Sequence, residues 1–267
     1  MDIVVLGAGK MGTSFSASFF GYEQLSPQSL HFIVRKPEKK ERISKLFPGS
    51  KVSVFSEVKE LYADIVILSI KPQDFSYVSE HLPFKIPKEA VLLSIMAGIS
   101  VEKIKKAFDH ELVVRAMPNA PTLIGMGITG YTATSSVSFR RLIQIERLLA
   151  TTGRSVYLED EKLLDSLAAI SGSGPAYFYY IMEAMIKTGM EMGFEENLSK
   201  ILVNQTMLGA YHLVNSSDKS LAELIQDVAS KGGITEAALK YFKENKLSEI
   251  IGGGIRSAQE RAKALNR

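Results

Sequence analysis

The stretch "IVVLGAGKMGTSF", residues 3 to 15, decides how the first part of the chain folds. Ile3, Val4, Val5 and Leu6 form an unbroken apolar run, three of the four β-branched, which reads as a strand covered on both faces. Gly7, Gly9 and Gly12 follow in a GxGxxG pattern that opens into a helical stretch. Each glycine has its own task in such a turn. Gly7 permits the tight bend, Gly9 leaves room for a pyrophosphate against the backbone, and Gly12 lets the helix lie close to the sheet. The helix start adds unpaired amides and about half a unit of positive charge. With a strand before it, a helix after it and a second strand at the right distance, the turn predicts a dinucleotide site.

Working outward, further strand patterns fall at 30–34, 64–70, 90–95, 112–117, 127–133 and 155–158, beside the first at 2–6. Helical patterns intervene at about 10–20, 38–47, 74–81, 100–108 and 137–151. Alternating strands and helices imply a mostly parallel, doubly wound α/β sheet. From Asp160 the strand pattern stops, and five or six helices are expected, split at "SGSGP", "MGF", "NSSDKS", "SKGGIT" and "ENK". Two domains are therefore expected, 1–159 and 160–267. The helix over 196–214 carries Leu198, Ile201, Leu202, Leu208, Tyr211 and His212, more apolar surface than a helical half of this size buries alone. That surplus predicts a helical dimer interface.

Composition narrows the function classes. A chain of 267 residues with 46% hydrophobic and 23% charged residues is an ordinary folded protein. A net charge of +3, spread evenly, argues against nucleic acid and against an anionic membrane surface. With no Cys there is no disulfide, thiolate metal site or cysteine nucleophile; no metal is expected, and a reducing cytoplasm fits. The N-terminus lacks the basic-apolar-small order of a secretory signal. The apolar stretch 167–193 is long enough to span a bilayer, yet Glu183, Lys187 and Glu191 recur every four residues on one helical face, so no membrane span is expected.

The second strand ends in "IVRKPEKK". NAD sites usually place an acid there to hold the ribose 2′-hydroxyl. Arg35 and Lys36 favour a 2′-phosphate instead, so NADPH is expected, with NADH less preferred. Lys71 and Pro72 follow the strand "ILSI" at the edge where open sheets bind ligands, and are expected to touch the cofactor.

The chemistry is less obvious. His31, His81, His110 and His212 each lack a carboxylate neighbour at a glycine-rich strand end and read as structural. The β-hydroxyacid dehydrogenases resemble this layout and carry a lysine on the first long helix after a GxG turn, but in "SGSGPAYFYY" that position is Phe178. A site without an evident acid or base suits a substrate already protonated, such as an imine, which needs only to be held against the nicotinamide. The stretch "VASKGGITEAAL", 228–239, offers such a hold. Two glycines at a helix start cost roughly 1 kcal/mol each relative to Ala, which suggests that something approaches the backbone closely there. Gly232 and Gly233 are expected to present amides to a carboxylate, and Thr235 its hydroxyl to the ring nitrogen.

Residues 169–193 and 227–239 together resemble the signature of the pyrroline-5-carboxylate reductases, and "GAGKMG" (7–12), "LSIKP" (68–72) and "VVRAMPNAP" (113–121) match further blocks of that family in order. The resemblance implies an N-terminal Rossmann-like domain followed by an all-α dimerisation domain. It also implies NAD(P)H reduction of 1-pyrroline-5-carboxylate to proline, by a homodimer or larger homo-oligomer whose subunits share each active site. Carried over, it places Ser230, Gly232, Gly233 and Thr235 at the substrate, with Thr235 making the catalytic hydrogen bond. It places Gly7, Gly9, Lys10, Met11 and Gly12 at the cofactor, Ala97 and Gly98 after another strand end facing it, and Met117, Pro118 and Asn119 on the nicotinamide side.

Four departures stand out. Lys231 and Ile234 occupy positions of Pro and Thr in the common Ser-Pro-Gly-Gly-Thr-Thr loop. Ser56, also assigned to the cofactor, stands where many members have an Asn on the adenosine ribose, and Ser220-Leu221 replaces a frequent His-Pro. A reductase of another cyclic imine, and a catalytically silent NADP(H)-binding paralogue, are the alternative readings that these changes leave open.

Overall fold

The structure, a computed structural model, describes residues 1–21 and 25–265. It forms two compact units, Met1–Ser173 with Ala258–Arg267, and Gly174–Ser257. The last two residues of the expected second domain lie outside the described residues.

The first unit alternates strands and helices: β1 (Ile3–Leu6), α1 (Lys10–Ser18), β2 (Leu30–Val34), α2 (Pro37–Leu46), β3 (Lys51–Val54), β4 (Ile65–Leu68), α3 (Phe75–Glu80), β5 (Val91–Ser94), α4 (Val101–Phe108), β6 (Val113–Met117), β7 (Gly127–Ala133), α5 (Phe139–Ala150) and β8 (Gly153–Tyr157). They make one eight-stranded sheet in the order β3-β2-β1-β4-β5-β6-β7-β8. Every neighbouring pair is parallel except β6–β7. The mostly parallel, doubly wound sheet expected from the repeating units is present.

Period-two alternation sends successive residues to opposite faces, and helices cover both. Ile3 and Val5 join Phe15, Phe19, Phe32 and Leu149 in one core layer. Val4 and Leu6 join Val66, Leu68, Leu92 and Ile104 in the other. All residues of β1, β4 and β5 are buried, which is why these strands read as continuous apolar runs. Strand β3 was not among the expected ones. It is an edge strand with only Val54 buried, so it carries no apolar run to be recognised.

The sheet order reverses between β1 and β4. From β1 the chain winds outward through β2 and β3, then returns across to β4 on the other side. Such a reversal opens a crevice at the carboxyl ends of the two central strands, where Gly7 and Ser69 begin the connecting segments.

The sheet ends at Tyr157, close to the expected domain boundary, yet α6 (Leu163–Leu167) and the π-helical turn Ala168–Gly172 belong with the sheet unit. Arg115 gives the reason. Its side chain on β6 is 5% exposed and pairs through the guanidinium with Glu161 at 2.7 Å and Asp165 at 3.4 Å, and Glu161 also accepts from the Val101 amide at 2.9 Å. A nearly buried guanidinium needs such partners, and they fasten the start of α6 to the sheet.

The second unit is helical: α7 (Gly174–Glu191), α8 (Glu196–Ser216), α9 (Leu221–Val228), α10 (Ile234–Glu244) and the first part of α11 (Leu247–Leu265). Breaks fall at the expected segments. Ser220 shows why its departure is tolerated: its hydroxyl accepts from the Glu223 amide while Glu223 reaches back to the Ser220 amide at 2.8 Å, a capping box that starts α9. No helix among the described residues is long and apolar enough to cross a membrane.

Candidate active site

The crevice at β1 and β4 is a cleft of about 500 Å³. Gly7, Gly9, Arg35, Lys36, Ser56 and Lys71, all expected at the cofactor, line it together. Lys39, Asp74 and Tyr77 line it as well, and the sequence reading did not single them out. Lys39 lies one helical turn after Lys36, a spacing that could have flagged it. Asp74 and Tyr77 are brought in by the path of the chain after β4, which leaves no local signal.

The three glycines of the turn differ in a telling way. Gly7 has φ +94, a left-handed conformation that favours glycine, and its amide donates to Ile33 at 3.1 Å. A Cβ at Gly12 would lie 2.6 Å from the Gly7 carbonyl oxygen and closer still to the Ser69 hydroxyl. A Cβ at Gly9 would meet nothing within 4 Å. Open space directly over Gly9, at the uncapped start of a helix with no acid in its first turn, is what a pyrophosphate requires. The residues present therefore fit a dinucleotide. Lys10 is exposed and Met11 half-buried against the core, so both offer the site backbone amides at the helix start.

At the ribose end the charge is basic. Arg35, Lys36, Lys39 and Lys71 line the cleft, and of these only Arg35 is in an ion pair among the described residues, with Asp74 at 2.9 Å. Unneutralised cations at the end of β2 suit a phosphate on the 2′ position.

The other expected cofactor residues lie outside the lining of this cleft. Pro72 starts the short 3-10 turn before α3 and is exposed. Ala97 and Gly98 follow β5; Gly98 has φ +71, and a Cβ there would press on Leu265 at 2.9 Å. The Asn119 side chain is fully engaged: its amide nitrogen donates to the Ser171 hydroxyl at 3.2 Å and carbonyl at 3.3 Å, and its oxygen accepts from the Ile128 amide at 3.0 Å. It clasps the π-helical turn to the start of β7.

In the second unit, Ser230–Thr235 forms a turn into α10. Gly232 adopts φ +74, and a Cβ on Gly233 would lie 2.6 Å from the Ser230 hydroxyl. Both glycines thus have a local cause in the turn itself. Their amides differ from the expectation of open donors: Gly233 donates to the Ser230 carbonyl at 2.9 Å, and Gly232 to the Glu236 carboxylate at 2.7 Å. Glu236 sits at the third helical position, from which a glutamate reaches back over the helix start. The N–H groups of Ile234, Thr235 and Glu236 have no acceptor within the helix and remain as donors to an anion. Thr235 is half-buried there, while Ile234 is 93% exposed.

Comparison with known proteins agrees with this geometry. Residues 161–265 match the family model described as pyrroline-5-carboxylate reductase dimerisation, and residues 2–98 one described as NADP oxidoreductase, coenzyme F420-dependent. The pyrroline-5-carboxylate reductase of Pseudomonas aeruginosa is 37% identical over 76% of this chain and 75% of its own. That of Haemophilus influenzae is 32% identical over 98% of this chain and 97% of its own. Among solved structures, the Plasmodium falciparum pyrroline carboxylate reductase with NADP bound has a TM-score of 0.87 at 26% identity, covering 100% of this chain and 98% of that one. With a relative above 30% identity along nearly its whole length, and with the cleft and the glycine turn where that family's signature blocks fall, the chain belongs to the pyrroline-5-carboxylate reductase family.

Proposed function

We propose that the protein reduces 1-pyrroline-5-carboxylate to L-proline with NADPH, the last step of proline synthesis. The observation that carries the cofactor half is the cleft: bare space over Gly9 at one end and, at the other, Lys36 and Lys39, which have no ion-pair partner among the described residues. The substrate half is supported by the Ser230–Thr235 turn and by the relatives' names.

The chain's own part in the reaction is to hold and orient. Amides at the start of α1 bind the pyrophosphate, and Arg35, Lys36 and Lys39 the 2′-phosphate. The bound nicotinamide supplies a hydride to the carbon of the C=N bond. Substrate reaches the site with its nitrogen protonated, so the nitrogen keeps that proton as the C=N electron pair moves onto it. The first-turn amides of α10 receive the substrate carboxylate, and the Thr235 hydroxyl orients the ring nitrogen. A threonine hydroxyl is too weak an acid to donate its proton outright at neutral pH, so its contribution is geometric and electrostatic. NADH, lacking the 2′-phosphate, is the poorer donor. A homodimer or larger homo-oligomer, located in the cytoplasm, is part of this reading.

The deciding assay follows NADPH oxidation by the purified protein with 1-pyrroline-5-carboxylate, repeated with NADH and with the six-membered ring homologue, and identifies proline. Turnover to proline with NADPH preferred supports the proposal. NADPH binding without turnover of either imine removes it. Thr235→Ala is expected to lower turnover at least about tenfold with NADPH affinity nearly unchanged; a matching loss of cofactor affinity would show that Thr235 serves the fold.

A further inference from the structure

Among the described residues lining the cleft, Asp74 is the one carboxylate, and it pairs with Arg35 at the ribose end. It stands on the wall after β4, at the end of the 3-10 turn Pro72–Asp74, whereas Arg35 stands on the opposite wall after β2. The two meet across the cleft, Arg35 Nη1 donating to Asp74 Oδ1 at 2.9 Å. Although Asp74 is at the N-cap of α3, its side chain caps no helix amide, and the contact with Arg35 is the only hydrogen bond of that side chain among the described residues.

NAD sites place their acid at the end of the second strand, where it accepts from the 2′-hydroxyl and repels a phosphate. Here the end of that strand is basic, and a carboxylate is delivered to the same place from the other wall. We propose that Asp74 competes with the cofactor's 2′-phosphate for Arg35, and thereby limits how sharply the enzyme separates NADPH from NADH. The inference rests on the NADPH reading above.

The chemistry is an exchange of partners. The Arg35–Asp74 contact is a single hydrogen bond between side chains 54% and 32% exposed, a weak kind of ion pair. A phosphate presents two oxygens in the plane of the guanidinium and carries more charge, so it takes Arg35 from the carboxylate. The phosphate then lies beside an unpartnered Asp74, and part of the gain is lost to repulsion. NADH asks for no such exchange and leaves the pair intact.

The test is calorimetric titration with two adenosine probes, 2′,5′-ADP and 5′-ADP, of the wild-type enzyme and of Asp74→Asn, with NADPH and NADH dissociation constants measured by fluorescence alongside. Asp74→Asn is expected to tighten 2′,5′-ADP and NADPH about three- to tenfold, an effect that shrinks at high salt, and to change 5′-ADP and NADH less than about twofold. Unchanged or weakened 2′,5′-ADP binding in the variant, against a wild type that prefers 2′,5′-ADP, overturns the role of Asp74 alone. A wild type that binds 5′-ADP as tightly as 2′,5′-ADP overturns the NADPH reading and the inference with it.

Discussion

Gly9 and Gly12 sit three residues apart in one turn and answer to opposite demands, which makes them a matched pair of probes. Alanine fits at Gly9, where φ is −78 and the Cβ meets nothing, so Gly9→Ala should fold with an unchanged melting temperature while its methyl group fills the place proposed for the phosphate. NADPH affinity is expected to fall at least about tenfold, equivalent to roughly 1.4 kcal/mol. Gly12→Ala drives a Cβ against the Gly7 carbonyl and the Ser69 side chain, and is expected to cost about 1–3 kcal/mol of stability in a denaturant titration. The tight turn at Gly7, the open space at Gly9 and the close packing at Gly12 were legible in the sequence because each follows from backbone geometry at fixed spacing. Glu236 on the Gly232 amide, Asp74 on Arg35 and Asn119 on Ser171 were not, because each depends on where a side chain lands after folding. Arg115 was no more legible, since nothing in "LVVRAM" names Glu161 or Asp165 as its partners.

At the scale of elements, β1, β4 and β5 were readable because every residue in them is buried and an apolar run results. The edge pairing of β2 with β3 shows what such a reading misses and also offers a pH probe. His31 on β2 lies opposite Lys51 on β3, with its Nε2 2.9 Å from the Ser53 hydroxyl. Burial, and secondarily the charge of Lys51, hold its pKa at about 4 rather than 6.5. The imidazole is therefore neutral in the fold, while the unfolded chain takes up a proton below pH 6.5. Stability at this position is complete above that pH and declines as pH falls from 6.5 towards 4. In His31→Gln this decline is expected to be shallower, as read from urea midpoints at pH 7, 6 and 5; parallel curves for the two proteins would remove His31 as the cause.

For the whole molecule, the helical unit carries its apolar residues on the outside. Among the described residues of Gly174–Ser257 only Gly174, Ser199 and Val203 are buried, whereas Ile201 and Leu208, seven residues apart on one face of α8, are 64% and 50% exposed. Covering such side chains is worth about 2 kcal/mol each, so a second copy of the chain is the expected cover. Sedimentation should find a dimer or larger species, and Ile201→Asp with Leu208→Asp should yield a monomer without turnover; a variant that stays associated would place the interface elsewhere. The surplus of apolar surface was visible in the sequence. The return of the end of α11 to the sheet unit was not, since helical periodicity says nothing about which neighbour a helix joins. That return bears on how the protein is made. Gln259 donates to the Ser166 hydroxyl at 2.6 Å, and Leu265 packs on Gly98, so the unit begun by residue 3 closes with residues translated more than 250 codons later. A nascent chain on the ribosome holds most of its sheet long before these last contacts exist, and the first unit to start folding is the last to finish.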